Sequence, residues 1–205
     1  MPLQNRVTPH GAIVAIPERG TLMGNRGVLH ADDGEHRRDW QLRRWIACRV
    51  EFQGRKRTLR QPRKYTELFF LDEATALAAG HRPCAECRRE DYRRWQAAWP
   101  RDDTGADAMD RVLHDDRLDG GAQRTFPARL GNLPDGVIVQ RAGGAFLLWQ
   151  DTLRAWSPAG YGPPEPARPA ERVTVLTPLV TVATIAGGYA VSPPGFSIPP
   201  ARPIP

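Results

Sequence analysis

Two cysteines spaced Cys-x-x-Cys, Cys84 and Cys87, are the residues of this chain best suited by type and spacing to chemistry. Such a turn lets two thiolates approach one metal ion while nearby backbone amides lower the thiol pKa. The same spacing also serves redox pairs. Here Pro83 opens the turn and no thioredoxin-like βαβ pattern precedes it, which favours metal. Structural zinc takes four ligands, so the pair is half a site, and Zn2+ is the expected cofactor. The one remaining cysteine, Cys48, is either a third ligand or a buried core residue. A fourth ligand would come from His30 or His36, an acid or water. The acids around those two histidines (Asp32, Asp33, Glu35) also fit a plain solvated turn.

The second feature with chemical content is charge. The 205-residue chain carries a formal net charge of +6. Residues 1–100 hold 19 Lys/Arg against 12 Asp/Glu, and residues 101–205 hold 10 against 11. The segment from His36 to Lys64 alone has 11 basic residues and two acids, Asp39 and Glu51, and only Lys56 and Lys64 are lysines. Clustered arginine is the electrostatic footprint of a phosphate-binding surface; the plain alternative is a solvated basic face. Candidate phosphate contacts are Arg43, Arg44, Arg49, Arg55, Lys56, Arg57, Arg60, Arg63 and Lys64, joined by Arg89 and Arg93 after the knuckle. Farther along, Phe146, Trp149 and Trp156, interleaved with Arg141 and Arg154, could line a pocket for a flipped or modified base, or pack in a core. The Gly24-Asn25-Arg26-Gly27 turn could cradle a phosphate. Asp115, Asp116 and Asp119 beside His114 fit either a metal site or a charged helix end. Gly-x-Ser-x-Gly, Walker and His-Glu-x-x-His motifs are missing.

The elements that position these residues are α+β in pattern. Ala12–Ile16 is a short β-like run closed by Pro17, and the glycine-rich stretch 18–27 reads as a loop. Arg44 to Phe52 alternates, with Ile46, Cys48, Val50 and Phe52 on one face. That pattern predicts a strand, a turn at Gln53-Gly54 and a returning strand over Lys56–Arg60, an Arg-rich hairpin. Tyr65–Leu71 reads as a third strand. Asp72 caps a helix over Glu73–Ala79 that stops at Gly80. A second helix runs from the knuckle to Trp99 with Tyr92, Trp95 and Trp99 as its core stripe. Residues 1–100 thus form a small sheet with two helices around the knuckle, 101–110 a linker, 111–191 a small β-barrel-like module, and 192–205 a Pro-rich tail. In the module, strands are expected at 125–130, 137–141, 145–150, 153–156, 172–176 and 180–185, with a hairpin at Gly143-Gly144 and a loop over Pro158–Pro169.

The run from Phe69 to Arg88, Phe-Phe-Leu-Asp-Glu-Ala-Thr-Ala-Leu-Ala-Ala-Gly-His-Arg-Pro-Cys-Ala-Glu-Cys-Arg, resembles the metal-binding domain of Ada-type alkylated-DNA repair proteins. More broadly, the chain resembles a group of bacterial proteins that pair this knuckle with a C-terminal β-module. The resemblance implies a zinc knuckle beside a DNA backbone. In that family a second upstream cysteine pair completes the zinc site, and one of its thiols accepts a methyl group. This chain has only Cys48 there. His81 stands at the family's aromatic position, which implies packing rather than ligation.

Together these readings give an expected function: a cytoplasmic, nucleoid-associated protein that binds double-stranded DNA through phosphate contacts, with 5-methylcytosine reading as an extension. An alkyl-transfer enzyme using Cys48 and a protein-interaction adaptor are the alternatives. No membrane partner is expected, since no apolar run approaches the roughly 20 residues needed to span a bilayer. No small-molecule substrate is expected either.

Overall fold

The computed structural model describes residues 1–54 and 58–192. In chain order the elements are β1 (Gln4–Val7), β2 (Ile13–Ala15), β3 (Leu22–Asn25), β4 (Ile46–Arg49), β5 (Leu68–Phe70), α1 (Glu73–Ala78), β6 (Arg82–Pro83), α2 (Arg89–Ala98) and α3 (Ala106–Arg117). They continue with β7 (Leu118–Asp119), β8 (Ala122–Gln123), β9 (Phe126–Arg129), β10 (Ile138–Arg141), β11 (Gly144–Trp149), β12 (Thr152–Ser157), β13 (Gly160–Pro166), β14 (Arg172–Val175) and α4 (Leu179–Ala186). An N-terminal mixed sheet has the order β2-β1-β5-β3-β4-β6, and a C-terminal antiparallel sheet the order β13-β12-β11-β10-β14-β9. None of the helices is long and apolar enough to cross a membrane among the described residues.

The fold is α+β, as the pattern predicts, but the C-terminal sheet is open rather than barrel-like. Its edges are β13 and β9, which do not pair with each other. Proline explains both ends: Pro163, Pro164 and Pro166 in β13 and Pro127 in β9 lack the N–H that a further strand would need. For the same reason the Pro-rich stretch expected as a loop is accommodated as an edge strand. The expected hairpin forms between β10 and β11, with Ala142 (φ 47°) and Gly143 (φ 82°) in the left-handed region.

Three further differences have local causes. The segment 180–185, read as a strand, lies within helix α4. Asp116 Oδ2 accepts the Val180 N–H at 2.8 Å, and Thr181, Val182, Thr184 and Ile185 are buried, so packing overrides the β-branched preference. The stretch read as a glycine loop contains β3, because a Cβ at Gly24 would lie 2.3 Å from the Ile46 carbonyl oxygen and 2.8 Å from the Phe70 ring. That glycine permits close strand packing. Finally, β4 has no returning partner at 58–60, where Leu59 and Arg60 form a turn; it pairs instead with β3 and with β6. Residues 55–57 of the expected hairpin lie outside the described residues. The segment expected as a linker begins α3 at Ala106.

Helix α1 holds the two sheets together. Asp72 caps it as expected, accepting the Thr75 N–H at 2.8 Å, and Gly80 (φ 81°) follows its end. All six helical residues are buried. Ala74, Leu77 and Ala78 pack into the large core of the C-terminal sheet, with Trp95, Leu113, Val139 and Leu147; Ala76 and Ala79 pack on the N-terminal sheet with Val7, Leu68 and Phe70. Small side chains allow both sheets to approach one helix. Tyr92, Trp95 and Trp99 join the large core, as their spacing predicts.

Polar bonds reinforce this arrangement. The Tyr161 hydroxyl donates to Asp72 Oδ2 at 2.8 Å, and Trp156 Nε1 donates to Thr75 Oγ1 at 3.0 Å. Buried Glu73 pairs with Arg88 and accepts from the Tyr189 hydroxyl at 2.6 Å and the Ser192 N–H at 2.7 Å. We predict that Glu73→Ala, which leaves buried Arg88 with Asp91 alone and Tyr189 without its acceptor, lowers stability by about 1–3 kcal/mol. Chemical denaturation measures it; a loss below about 1 kcal/mol would mean the network is not a major tie.

Candidate metal centre

The pleat of β4 sets the centre. Ala47 faces α1 within the inner cluster, so Cys48 faces the opposite side of the sheet. On that side Met23 of β3 stands in register with both Cys48 and Phe69. Parallel pairing of β6 with β4 then brings in the knuckle: the Arg82 N–H donates to Trp45 O at 3.1 Å and the Cys84 N–H to Ala47 O at 3.0 Å. The turn closes as the Arg88 N–H reaches Cys84 O at 3.1 Å, and α2 begins at Arg89.

The result is that the sulfurs of Cys48, Cys84 and Cys87 all lie within 4.8 Å of one another. Cys48, which the sequence left as either a third ligand or a buried core residue, is buried and stands within reach of the two knuckle thiols. The three are 7%, 6% and 7% exposed and share a small cluster with Met23, flanked by Ile46, Phe52 and Phe69. Tetrahedral zinc–thiolate bonds of about 2.3 Å would put sulfurs about 3.8 Å apart, a separation that falls within this bound. The Arg49 N–H donates to Cys87 Sγ at 3.3 Å, a bond that favours thiolate. Cys84 is held well below the usual thiol range, because Cys48 and then Cys87 donate to it. Cys48 is pushed far up by Cys84, by Cys87 and by burial. The close thiols thus favour a thiolate at one position and oppose it at another, an imbalance that a bound cation would relieve. The donor set could therefore hold a metal ion, with a fourth position left to a non-cysteine ligand.

His30 stands outside this group. Its Nδ1 meets Thr66 Oγ1 at 2.6 Å and its Nε2 meets Gln61 O at 3.3 Å, so both ring nitrogens serve a loop. His36 meets Asp39 Oδ1 at 3.1 Å. His81 is fully buried against Trp45 and Phe70, the packing role the resemblance implied.

The basic residues divide. Arg43, Arg44, Arg49, Arg63, Lys64, Arg89 and Arg93 are exposed. Arg49 follows Cys48 directly, Arg89 lies two positions after Cys87, and Arg93 is one turn farther along α2. Arg43 and Arg44 line a shallow groove with Asp107 and Arg111. Arg60, in contrast, is a loop clamp, its guanidinium donating to Gly34 O and Gln4 O. Arg55, Lys56 and Arg57 lie outside the described residues. The sequence did not reveal two positioning residues. Arg82 forms a buried two-pronged pair with Asp110, at 2.8 and 2.7 Å, tying the knuckle to α3, and Arg88 joins Glu73 and Asp91. No local signal marks a pair separated by 28 residues.

The three aromatic residues have different surroundings among the described residues. Trp149 lines a cleft with Pro134 and Tyr189, Trp156 a separate one with Phe69 and Arg6, and Phe146 lies beneath Arg141 at 5.8 Å.

We predict that the chain binds one thiophilic divalent ion, read out as a cobalt–thiolate charge-transfer band and as protection of all three thiols from alkylation. Cys48→Ser should weaken binding by more than the roughly 10- to 100-fold lost when an outer partner of a ligand is removed. Three thiols that stay equally reactive with and without metal would exclude the centre. Comparison with protein-family models, curated proteins and solved structures finds no match, so similarity to a known protein adds nothing to what this geometry implies.

Proposed function

We propose that this chain is a DNA-binding protein in which Zn2+ on Cys48, Cys84 and Cys87 staples the knuckle beneath an arginine-bearing surface. The observation that carries the reading is the placement of exposed arginines around the thiol centre. Arg49 on β4 and Arg89 and Arg93 on α2 come from the two elements that the thiols join. None of the three makes an ion pair with a described residue. Zinc would supply rigidity: it fixes the start of α2 against β4 and so fixes the spacing of the guanidiniums. Arginine binds phosphate through two parallel N–H groups, and such contacts carry affinity without sequence preference. Arg43 and Arg44, just before β4, extend the same basic surface along the chain.

Alkyl transfer finds less support, since Cys48 is 7% exposed and faces the sheet's small apolar cluster. Modified-base reading finds less support, since Trp149 and Trp156 line separate clefts.

The test is fluorescence anisotropy with a plain duplex across a salt series. Five phosphate contacts, from Arg43, Arg44, Arg49, Arg89 and Arg93, predict a log–log slope of about −4 to −5. Replacing Arg49 and Arg89 with Ala should weaken binding to every duplex and reduce the slope's magnitude by about 2. Binding absent even at low salt would sink the proposal in favour of an adaptor role. An unchanged slope in the double variant would remove the knuckle surface from it.

A further inference from the structure

On the inner side of β4, a second set of residues forms a pocket that none of the preceding chemistry uses. Its cavity, of about 170 Å³, is lined by His10, Gly11 and Ala12 from the β1–β2 turn, Trp40 and Trp45 around the entry to β4, Arg26 and Arg117 at its base, and Ala122 and Gln123 of β8. Arg26 and Arg117 are only 1% and 2% exposed. Their guanidinium carbons lie 4.0 and 3.8 Å from the Trp45 ring centroid.

Neither arginine has a carboxylate partner among the described residues. Arg26 donates to Gly11 O at 3.0 Å, to Asp39 O at 3.4 Å and to His81 Nε2 at 3.4 Å; its Nη2 has no partner. Arg117 donates to Gly80 O at 2.8 Å and to Arg43 O, and meets His114 Nδ1 at 3.0 Å; its Nε has no partner. Of the neighbouring acids, Asp39 Oδ1 is engaged with His36 and Asp110 with Arg82, while exposed Asp115 acts on Arg117 without forming an ion pair with it. Burial lowers Arg26 to about 9 and holds Arg117 well below its usual range, the latter also through repulsion from Arg26. Contact with Trp45 offsets part of this cost, since a cation over an indole face is attracted by the ring, but the desolvation of a buried ion exceeds it. Two buried cations with spare donors, both lining one cavity, form the complement of an anion.

We propose that this pocket binds a compact phosphate-bearing molecule, its oxygens held by the spare donors of Arg26 and Arg117. The volume suits one phosphate group with little else inside, below the usual size of pockets that enclose drug-sized ligands. Trp40, 37% exposed at the mouth and packed on His114 with centroids 4.5 Å apart, offers a flat surface to any ring attached to that phosphate.

Calorimetric titration and thermal unfolding of the full chain, with inorganic phosphate and separately with a nucleoside 5′-monophosphate at constant ionic strength, test the site. The expected result is saturable binding of phosphate and an unfolding midpoint that rises with its concentration. Ala12→Glu and Ala122→Glu add a carboxylate at exposed lining positions and leave the buried arginines in place. Each should weaken binding by roughly tenfold or more through like-charge repulsion, without lowering the midpoint of the ligand-free protein. Trp40→Ala distinguishes the sources. Tighter monophosphate binding that Trp40→Ala abolishes identifies a ring-bearing ligand, whereas equal binding of both probes, unaffected by the substitution, identifies free phosphate. No saturable binding of either probe, or binding that survives both glutamate variants unchanged, would overturn the proposal and leave the two arginines satisfied by Trp45 and backbone carbonyls alone.

Discussion

Helix α1 imposes the constraint on which the rest of the molecule depends: a helix of six buried residues between two sheets must present small side chains outward and satisfy its charged end internally. Alanines meet the first demand, and they let Phe70 on one side and Val139 on the other approach the same short helix. Asp72 and Glu73 create the second. An unpaired buried carboxylate is among the costliest defects a core can hold, so each needs its full complement of donors. Asp72 receives Thr75 and Tyr161; Glu73 receives Arg88, Tyr189 and the Ser192 amide. These donors come from the knuckle and from the C-terminal third of the chain. Burial pushes the Asp72 carboxyl above its usual range despite its donors.

This network links a thiol centre built from N-terminal strands to helices α1 and α3. Arg88 follows Cys87 immediately, and its guanidinium is the link from the knuckle to Glu73. Arg82, two residues before Cys84, is held by Asp110 of α3. The Cys-x-x-Cys turn is therefore pinned on both sides by buried ion pairs to elements distant in sequence. That rigidity is what a metal site needs to keep three sulfurs close before an ion arrives.

What the sequence made legible follows the same physics. Local signals were reliable: the Asp72 cap, the Gly80 stop, the Tyr92-Trp95-Trp99 stripe and the hairpin at Gly143 each depend on residues within a turn or two. Failures arose where a distant partner decided the outcome. Gly24 resembles a loop residue until the Phe70 ring and the Ile46 carbonyl are seen against it. Val180–Ile185 is rich in β-branched residues and reads as a strand, yet the Asp116 carboxylate at its start and the core beneath it make it part of a helix. At the candidate site, Cys84 and Cys87 were evident from spacing, but Cys48 could not be assigned, because an apolar strand face and a thiol pocket share one pattern. Arginine was the least legible residue. A count of charge cannot separate Arg49 and Arg89, in solvent, from Arg26, Arg82, Arg88 and Arg117, which are buried and serve quite different ends.

Strand β4 shows how these roles are kept apart. Side chains alternate across a pleat, so Cys48 and Ile46 fall on the outer face with the knuckle, while Ala47 and, just before the strand, Trp45 fall on the inner face. Trp45 supports the two buried guanidiniums, and Cys48 completes the thiol cluster. A one-residue slip in the pairing of β4 with β3 would exchange the faces, placing a thiol among buried arginines and an indole in the knuckle. The register Met23↔Cys48 and Gly24↔Ala47 is therefore under two independent demands. Gly24 enforces it sterically, since only the residue lying over Phe70 must lack a side chain. One glycine thus fixes which face of the strand carries sulfur and which carries the arginine pocket.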